Sequence, residues 1–413
     1  QQKVMAEVSV GIPFKMLNRH GLIAGATGTG KTKTLQVFAE QLSEAGIPVV
    51  LMDLKGDLSG LAAAGTSNSF IEERHLQMQI PFNPQNYPVE FLSISHEPGT
   101  RLRATVSEFG PVLFSKMLGL NDTQSGVMSI LFKYADDHQL ALIDLADIKE
   151  LIKHVSSDSA SNFKAEYGQI SPASLSTILR KIIELEQQGA DLFFGELSFE
   201  VEDLLRKNQD GKGIISLLRL TDIQDKPKLF STFMLCLLAE VYNTLPEKGD
   251  ADKPELILVF DEAHLIFNEA SKALLDQLES IIKLIRSKGV GIYFCTQSPD
   301  DVPPAILAQL ATKVQHALRA FTAKDRKAIK SAAENYPLSE FYDPAELLTN
   351  LGIGEALFSG LNEKGVPTEL SHLMLRAPQS RMNILTEQEL SHQISQSSLL
   401  IKYEKKYDRE SAF

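Results

Sequence analysis

A glycine-rich stretch that ends in a lysine and a threonine occupies residues 25–32 and reads GATGTGKT. A glycine, four residues, a second glycine, a lysine and a hydroxyl residue is the spacing of a phosphate-binding P-loop. The glycines let backbone N–H groups turn inward around phosphate oxygens, and the N-terminus of a following helix adds partial positive charge. A chance match is expected in about one chain of this length in a hundred. The stretch therefore predicts a nucleotide-binding site.

Two side chains of this stretch have separate roles in the predicted chemistry. Lys31 can reach the β- and γ-phosphates of ATP, and Thr32 can ligand a Mg²⁺ ion. An apolar strand is predicted over residues 21–24, directly before the loop, and a helix with one apolar face is predicted over 33–45. We assign nucleotide binding to the nine residues Gly25, Ala26, Thr27, Gly28, Thr29, Gly30, Lys31, Thr32 and Lys33.

A second stretch that could do chemistry is an apolar run over residues 256–260, followed by Asp261 and Glu262. A buried strand here would expose both carboxylates at its carboxyl end. In P-loop ATPases the first carboxylate holds the magnesium shell and the second polarises the attacking water. A small-molecule kinase needs no such glutamate, so the pair favours hydrolysis. The competing interpretation is an ordinary acidic turn after a strand.

Three further side chains are candidates for the same reaction. Gln297 follows a predicted strand at 292–295, so it is a candidate sensor of the γ-phosphate or its water. Arg286 is a candidate arginine finger that reaches the ATP of a neighbouring subunit. A cation favoured at a helix C-terminus explains Arg286 equally well from the sequence. Arg319 is a second candidate finger.

Two other polar residues have open roles. Asp53 ends an apolar run, where it could hydrogen-bond active-site water or the metal shell, or stand at a turn of a solvated loop. His264 is interpreted as a structural residue or a relay, because no partner with metal-ligand spacing is nearby.

The elements that must position these residues alternate between apolar runs and helical patterns, which predicts an α/β fold with a buried, mainly parallel sheet. Strands are predicted at 21–24, 49–53, 213–218, 256–260, 292–295, 313–319 and 355–359, the last being the final strand. Residues 105–208 have mainly helical spacing. The chain is divided into a first core part with the P-loop (1–104), a helical insertion (105–210), a second core part (211–377) and a C-terminal tail (378–413). The tail is expected to lie on the core, on a neighbouring subunit, or to be loosely held.

Composition limits the classes of partner. Lysine and arginine total 41 against 53 aspartate and glutamate residues, a formal net charge of −12. This balance argues against a broad nucleic-acid groove but leaves room for a narrow positive pore. No run approaches the roughly 18 apolar residues that a membrane span requires. The two cysteines are far apart and read as core residues, so we expect no membrane association and a cytoplasmic location.

The motifs together resemble one known family. The chain is similar to the HerA-like bacterial ATPases of the FtsK–HerA superfamily, in the uncharacterised group with a helicase HerA-like C-terminal domain. The resemblance rests on residues 18–32, 55–60, 118–124, 260–264, 284–291, 315–322 and 408–412. It implies a RecA-like P-loop core, hydrolysis of ATP with Mg²⁺, and a homo-oligomeric ring, often a hexamer. It also matches Arg286 to the trans-acting arginine and Gln297 to the sensor glutamine. The barrel domain of archaeal HerA is not recognised here, and Ser298 stands where relatives often have arginine.

Two functions from different classes follow. The first is a ring-forming, Mg²⁺-dependent ATPase motor that acts on DNA, as a translocase or helicase. The second is an ATP-driven switch or scaffold that remodels a protein partner and binds no DNA.

Overall fold

The computed structural model describes residues 4–157, 161–249, 251–267, 272–320, 322–337 and 339–404. Within these ranges the strands belong to one sheet. The strands are β1 (Gly21–Ala24), β2 (Val49–Asp53), β3 (Val89–Ser93), β4 (Thr100–Arg101), β5 (Ile215–Arg219), β6 (Leu256–Phe260), β7 (Val290–Thr296), β8 (Thr312–Gln315), β9 (Glu355–Ser359) and β10 (Ser371–Met374).

The helices of the described residues are interspersed with the strands along the chain. Those up to residue 187 are α1 (Lys31–Glu44), α2 (Ser69–Met78), α3 (Val106–Met117), α4 (Asp122–Asp137), α5 (Leu145–Ser156), α6 (Ser161–Tyr167) and α7 (Pro172–Gln187). The later ones are α8 (Pro227–Thr244), α9 (His264–Phe267), α10 (Lys272–Ile285), α11 (Pro304–Leu307), α12 (Ala323–Glu334), α13 (Pro344–Asn350), α14 (Glu387–Ser395) and α15 (Ser398–Tyr403).

The order of the strands across the sheet decides which loops meet. It is β10-β9-β8-β1-β7-β6-β2-β5-β3-β4, so β7 separates β1 from β6, and β2 lies on the far side of β6. The pairs from β8 to β4 are parallel, whereas β9 is antiparallel to both β8 and β10. The carboxyl ends of β1, β7, β6 and β2 therefore lie side by side at one edge, as the predicted parallel sheet requires.

Both faces of the sheet are buried. Successive residues of β2 point to opposite faces, so Val50 and Met52 join one apolar cluster while Val49 and Leu51 join the other. The first cluster holds the apolar faces of α3, α4, α5, α7, α8 and α10. The second holds the buried face of α1. This two-sided burial explains why the strands of the sheet read as continuous apolar runs.

The structure confirms most predicted strands and corrects two. Strands β1, β2, β6 and β9 have the predicted bounds. The prediction of a strand over 313–319 was wrong beyond Gln315. The next residues bond to the last residue of β1 and to the loop after it: His316 N donates to Ala24 O (2.7 Å), and Ala317 O accepts from Ala26 N (2.9 Å). The final strand is β10, which the sequence pattern missed because its short, half-buried segment SHLM contains no apolar run.

The start of the described C-terminal tail lies on the core rather than projecting from it. Glu40 of α1 is fully buried, and its carboxylate accepts hydrogen bonds from Ser380 N (2.9 Å), Ser380 Oγ (2.7 Å) and Gln379 N (3.1 Å). Arg376 also pairs with Glu40 (3.2 Å). One buried carboxylate thus fastens the segment across the P-loop helix. The family motif at 408–412 lies outside the described residues.

Within the described residues, no helix combines the length and apolar character needed to cross a lipid bilayer.

Candidate active site

The P-loop connects β1 to α1 and is held by the two strands beside β1. Gly25 N donates to Thr296 O at the end of β7 (3.3 Å), and Ala26 N donates to Ala317 O after β8 (2.9 Å). Gly28 and Gly30 have φ angles of 79° and 110°, in the left-handed region that glycine adopts at little cost. Gly30 also caps the N-terminus of α1. The loop therefore directs backbone N–H groups and a helix N-terminus at one point, as a phosphate site requires.

Lys31 lies inside this loop. Its side chain is buried, and Nζ donates to Gly25 O (2.5 Å) and Ala26 O (3.1 Å). Burial lowers the pKa of Lys31, Lys55 acts in the same direction, and the charges of Glu262 and Asp261 oppose them. These interactions bring both predicted halves of the site into one electrostatic unit.

A buried histidine that the sequence analysis did not select packs against the P-loop and the first turn of α1. His316 Nε2 lies 2.9 Å from Thr34 Oγ1 of α1, and a Cβ atom added to Gly25 would lie 2.5 Å from His316 Cβ. Burial lowers the pKa of His316 to about 4, so the ring is neutral near pH 7. His316 directly follows β8, the neighbour of the P-loop strand, and this position could have marked it as a residue of the site. Glycine at position 25 is thus required by a close approach as well as by phosphate binding.

The predicted acidic pair follows β6. Asp261 is 3% exposed, and its Oδ1 accepts a hydrogen bond from Glu262 N (2.9 Å). Its Oδ2 is buried without an N–H or O–H donor among the described residues. Burial raises the pKa of Asp261, and the charge of Glu262 raises it further. An unsatisfied buried oxygen is costly unless a cation or water completes it.

The side-chain oxygens of Asp261 and Thr32 are of the kind that binds a Mg²⁺ ion. In nucleotide sites this ion takes one or two protein ligands and completes its shell with phosphate oxygens and water. Asp261 supplies an oxygen that has no N–H or O–H donor among the described residues, and Thr32 lies half-buried in the first turn of α1. No group of three or more His, Cys, Asp or Glu side chains with metal-binding geometry occurs in the part of the chain described.

Glu262 has an unusual backbone conformation, and two side chains contact its carboxylate. Its φ angle is 49°, in a region that non-glycine residues rarely occupy. Lys55 Nζ forms an ion pair with Oε1, and His264 Nδ1 lies 3.2 Å from Oε2. Burial alone would lower the pKa of Lys55, but the hydrogen bond with Glu262 and the charge of Asp261 raise it. Backbone strain of this kind concentrates at functional sites.

Asp53 forms the turn after β2, but it is 1% exposed rather than part of a solvated loop. Its Oδ1 accepts from Gly56 N (2.7 Å) and Asp57 N (3.2 Å), and its Oδ2 accepts from Leu58 N (3.2 Å). The carboxylate therefore folds the loop after β2, which carries Lys55 toward Glu262. The sequence analysis gave Lys55 no role. Lys55 stands two residues after an aspartate that ends a strand, and this position could have marked it as a residue of the site.

Asp53 should make stability depend on pH. Burial raises its pKa from 3.8 to about 7, so the folded state binds this proton more tightly than the unfolded state. Its contribution is constant below about pH 4 and is lost as the pH rises toward 7, by about 1.4 kcal/mol per pH unit at most. We expect the unfolding free energy of Asp53→Asn, relative to that of wild type, to rise as the pH increases from about 4 to about 7. Denaturant titrations at pH 4, 5.5 and 7 measure this difference. A constant difference would contradict the prediction.

The remaining predicted residues lie in different places. Gln297 is exposed directly after β7, between the P-loop and the acidic pair. Lys33 donates to Met382 O (2.5 Å) and Gln36 Oε1 (2.9 Å), so its ammonium faces the C-terminal segment rather than the loop. Arg319 is exposed on the P-loop edge, two residues after the carbonyl that bonds Ala26.

Arg286 lies on the opposite edge of the sheet from its own P-loop. It begins the 3-10 helix that precedes β7, and its carbonyl accepts from Asn18 Nδ2 (3.4 Å) near the start of β1. Its side chain is exposed. The structure therefore does not bring Arg286 to the site of its own chain, and any contact with ATP would require a second subunit.

Comparison with known proteins gives three findings. The family model described as "Helicase HerA-like C-terminal" matches residues 1–413. The DNA double-strand break repair helicase HerA of Saccharolobus solfataricus is 26% identical over 362 residues, which are 86% of this chain. The chain spans 64 to 66% of the length of three such HerA relatives.

Two solved structures are similar in fold. The plasmid coupling protein TrwB in complex with the ATP analogue ADPNP has a TM-score of 0.61 at 15% identity, covering 93% of this chain and 92% of that one. VirB4 of Thermoanaerobacter pseudethanolicus has a TM-score of 0.54 at 15% identity, with coverages of 87% and 89%. The predicted RecA-like P-loop fold is confirmed.

Proposed function

The chain belongs to the helicase HerA-like C-terminal family, and from that premise we propose that it is a Mg²⁺-dependent ATPase that forms a ring and moves DNA. The observation that carries the proposal is the meeting of the P-loop and the acidic pair at one sheet edge. β7 alone separates their strands, and the charges of Asp261 and Glu262 act on Lys31. This arrangement can hold a triphosphate on one side and water on the other.

Five side chains would share the work of hydrolysis. Lys31 and the loop N–H groups bind the β- and γ-phosphates, and Glu262 accepts a proton from water. As the water oxygen bonds to the γ-phosphorus, the bond from that phosphorus to the bridging oxygen breaks, and ADP leaves with the electron pair. Gln297 orients the water from the end of β7. A bound Mg²⁺ would neutralise charge on the phosphate oxygens, and Thr32 and Asp261 are the residues that would hold it.

The position of Arg286 supports a head-to-tail ring. It is exposed on the sheet edge opposite the P-loop, so in a ring each subunit would present it toward a neighbour's ATP. A guanidinium there would stabilise negative charge that develops on the transferred phosphoryl group. Hexamers are the form that the family resemblance implies.

We expect Arg286→Ala to lower the turnover number for ATP about tenfold to a hundredfold, the effect of losing one charge-assisted hydrogen bond. Nucleotide binding should persist, because the pocket of each chain is complete without Arg286. Mixing Arg286→Ala with Glu262→Gln subunits should restore part of the activity, since some interfaces then contain both groups. A variant that stays fully active, or an active monomer, would contradict the role across subunits.

DNA as the substrate is tested by ATP turnover with and without duplex DNA. We expect stimulation by DNA, with an affinity that falls steeply as salt rises from about 50 to about 200 mM. The relatives described as DNA repair helicases support this substrate. The net charge of −12 favours the alternative, a protein-remodelling ATPase. Turnover without DNA stimulation or DNA binding would support that alternative instead.

A further inference from the structure

Lys55 is a cation of the site to which the family resemblance gives no role. It comes from the loop after β2, on the far side of β6 from the P-loop. Three backbone N–H groups of that loop donate to Asp53, which is 1% exposed. The loop is therefore fixed by a buried carboxylate, and the position of Lys55 is built into the fold.

The ion pair between Lys55 and Glu262 is asymmetric. The Lys55 side chain is 38% exposed, whereas that of Glu262 is 7% exposed and has His264 on its other oxygen. The glutamate backbone is also held in the left-handed region, with its N–H bonded to Asp261 Oδ1. Of the two partners, only the lysine has open space into which it can move.

The pair affects the chemistry of Glu262 directly. A carboxylate whose oxygen is occupied by an ammonium group is a weaker proton acceptor and offers one oxygen fewer to water. The water that Glu262 activates must also touch the γ-phosphorus. A cation in contact with Glu262 is therefore separated from the γ-phosphate by no more than the carboxylate group and one water molecule. The charge of Lys55 also lowers the pKa of Lys31, so the two ammonium groups interact electrostatically.

We propose that Lys55 is a positioning residue that exchanges its ion pair with Glu262 for the γ-phosphate of ATP, and so frees the glutamate only when a triphosphate is bound. The inference rests on the proposed ATP hydrolysis. The γ-phosphate adds negative charge next to Lys55, and ADP lacks that group. Lys55 therefore contributes to the preference for ATP over ADP, and in the nucleotide-free chain it restrains the base.

The test measures the binding of ADPNP and ADP with Mg²⁺ to wild type and Lys55→Met by calorimetry. We expect the affinity for ADPNP to fall about tenfold relative to that for ADP, as for loss of one charge-assisted contact. Lys55→Arg should retain most of the preference because the charge is kept. Lys149→Met, which breaks the Lys149–Glu186 ion pair of the helical segment, is the matched control and should leave both affinities unchanged.

A double-mutant cycle separates exchange from simple support of the glutamate. Glu262→Gln removes the anionic partner, so Lys55 no longer has to leave it, and ADPNP should bind more tightly than in wild type. Adding Lys55→Met should cancel that gain. If the ratio of ADPNP to ADP affinity were the same in Lys55→Met as in wild type, this inference would be overturned. Turnover of ATP by the wild type would still support the ATPase in that case. A wild type that binds neither nucleotide would overturn the ATPase and this inference together.

Discussion

Glu262→Gln is expected to lower the turnover number for ATP by about 10²- to 10⁴-fold, the range for removal of a general base. The amide keeps the size of the side chain but cannot accept the proton of water. The backbone at position 262 has a φ angle of 49°, a conformation that glutamine tolerates no worse than glutamate. The variant should therefore fold and bind ATP, and Mg²⁺-ATP should accumulate unhydrolysed on it. Single-turnover kinetics with purified protein measure the chemical step directly.

Glu255→Gln is the matched control for this experiment. Glu255 precedes the same strand at its amino end and pairs with Lys248 (3.3 Å), so the change removes a carboxylate at the other edge of the sheet. Its turnover should stay within about twofold of wild type, because surface ion pairs contribute little. If Glu262→Gln retained wild-type turnover, another group would have to act as the base and a kinase would return as an interpretation.

Lys31→Met is expected to reduce kcat/KM for ATP by about 10²- to 10³-fold, as does the loss of one preorganised donor to developing charge. The residue is 6% exposed inside the loop, where its ammonium donates to Gly25 O and Ala26 O. In such a site the cation is poorly screened, so its attraction for the triphosphate is strong. Unlike the glutamate variant, this one should lose nucleotide affinity, which calorimetry measures.

Lys313→Met provides the comparison for Lys31→Met. Lys313 of β8 is a half-buried lysine whose pKa, like that of Lys31, is lowered by burial. Its ammonium donates to Asn335 O (3.0 Å). It lies outside the loop, so nucleotide binding should be unchanged. The thermal unfolding midpoint of Lys31→Met should not fall, because a buried ammonium group costs free energy that methionine does not. Equal ATP affinity in Lys31→Met and wild type would remove the phosphate-binding role.

The sequence alone determined the parts of this site that depend on local chain geometry. A P-loop is recognisable because glycines at fixed spacing, a lysine and a helix start act within eight residues. The strand before Asp261 is recognisable because both of its faces are buried, which produces an uninterrupted apolar run. Strands β1, β2, β6 and β9 were predicted with their observed bounds for the same reason.

Only the tertiary structure decided which distant residues meet. Strand order places β7 between β1 and β6, brings Lys55 onto Glu262 across 207 positions of the chain, and places Arg286 on the opposite edge. It also places His316 under the P-loop, at a point where the pattern predicted a continuing strand. Pairing between strands is set by the packing of whole layers, and no local spacing encodes it. The sequence therefore supplied the candidates for the reacting groups, and the order of the sheet determined the contacts that restrain them.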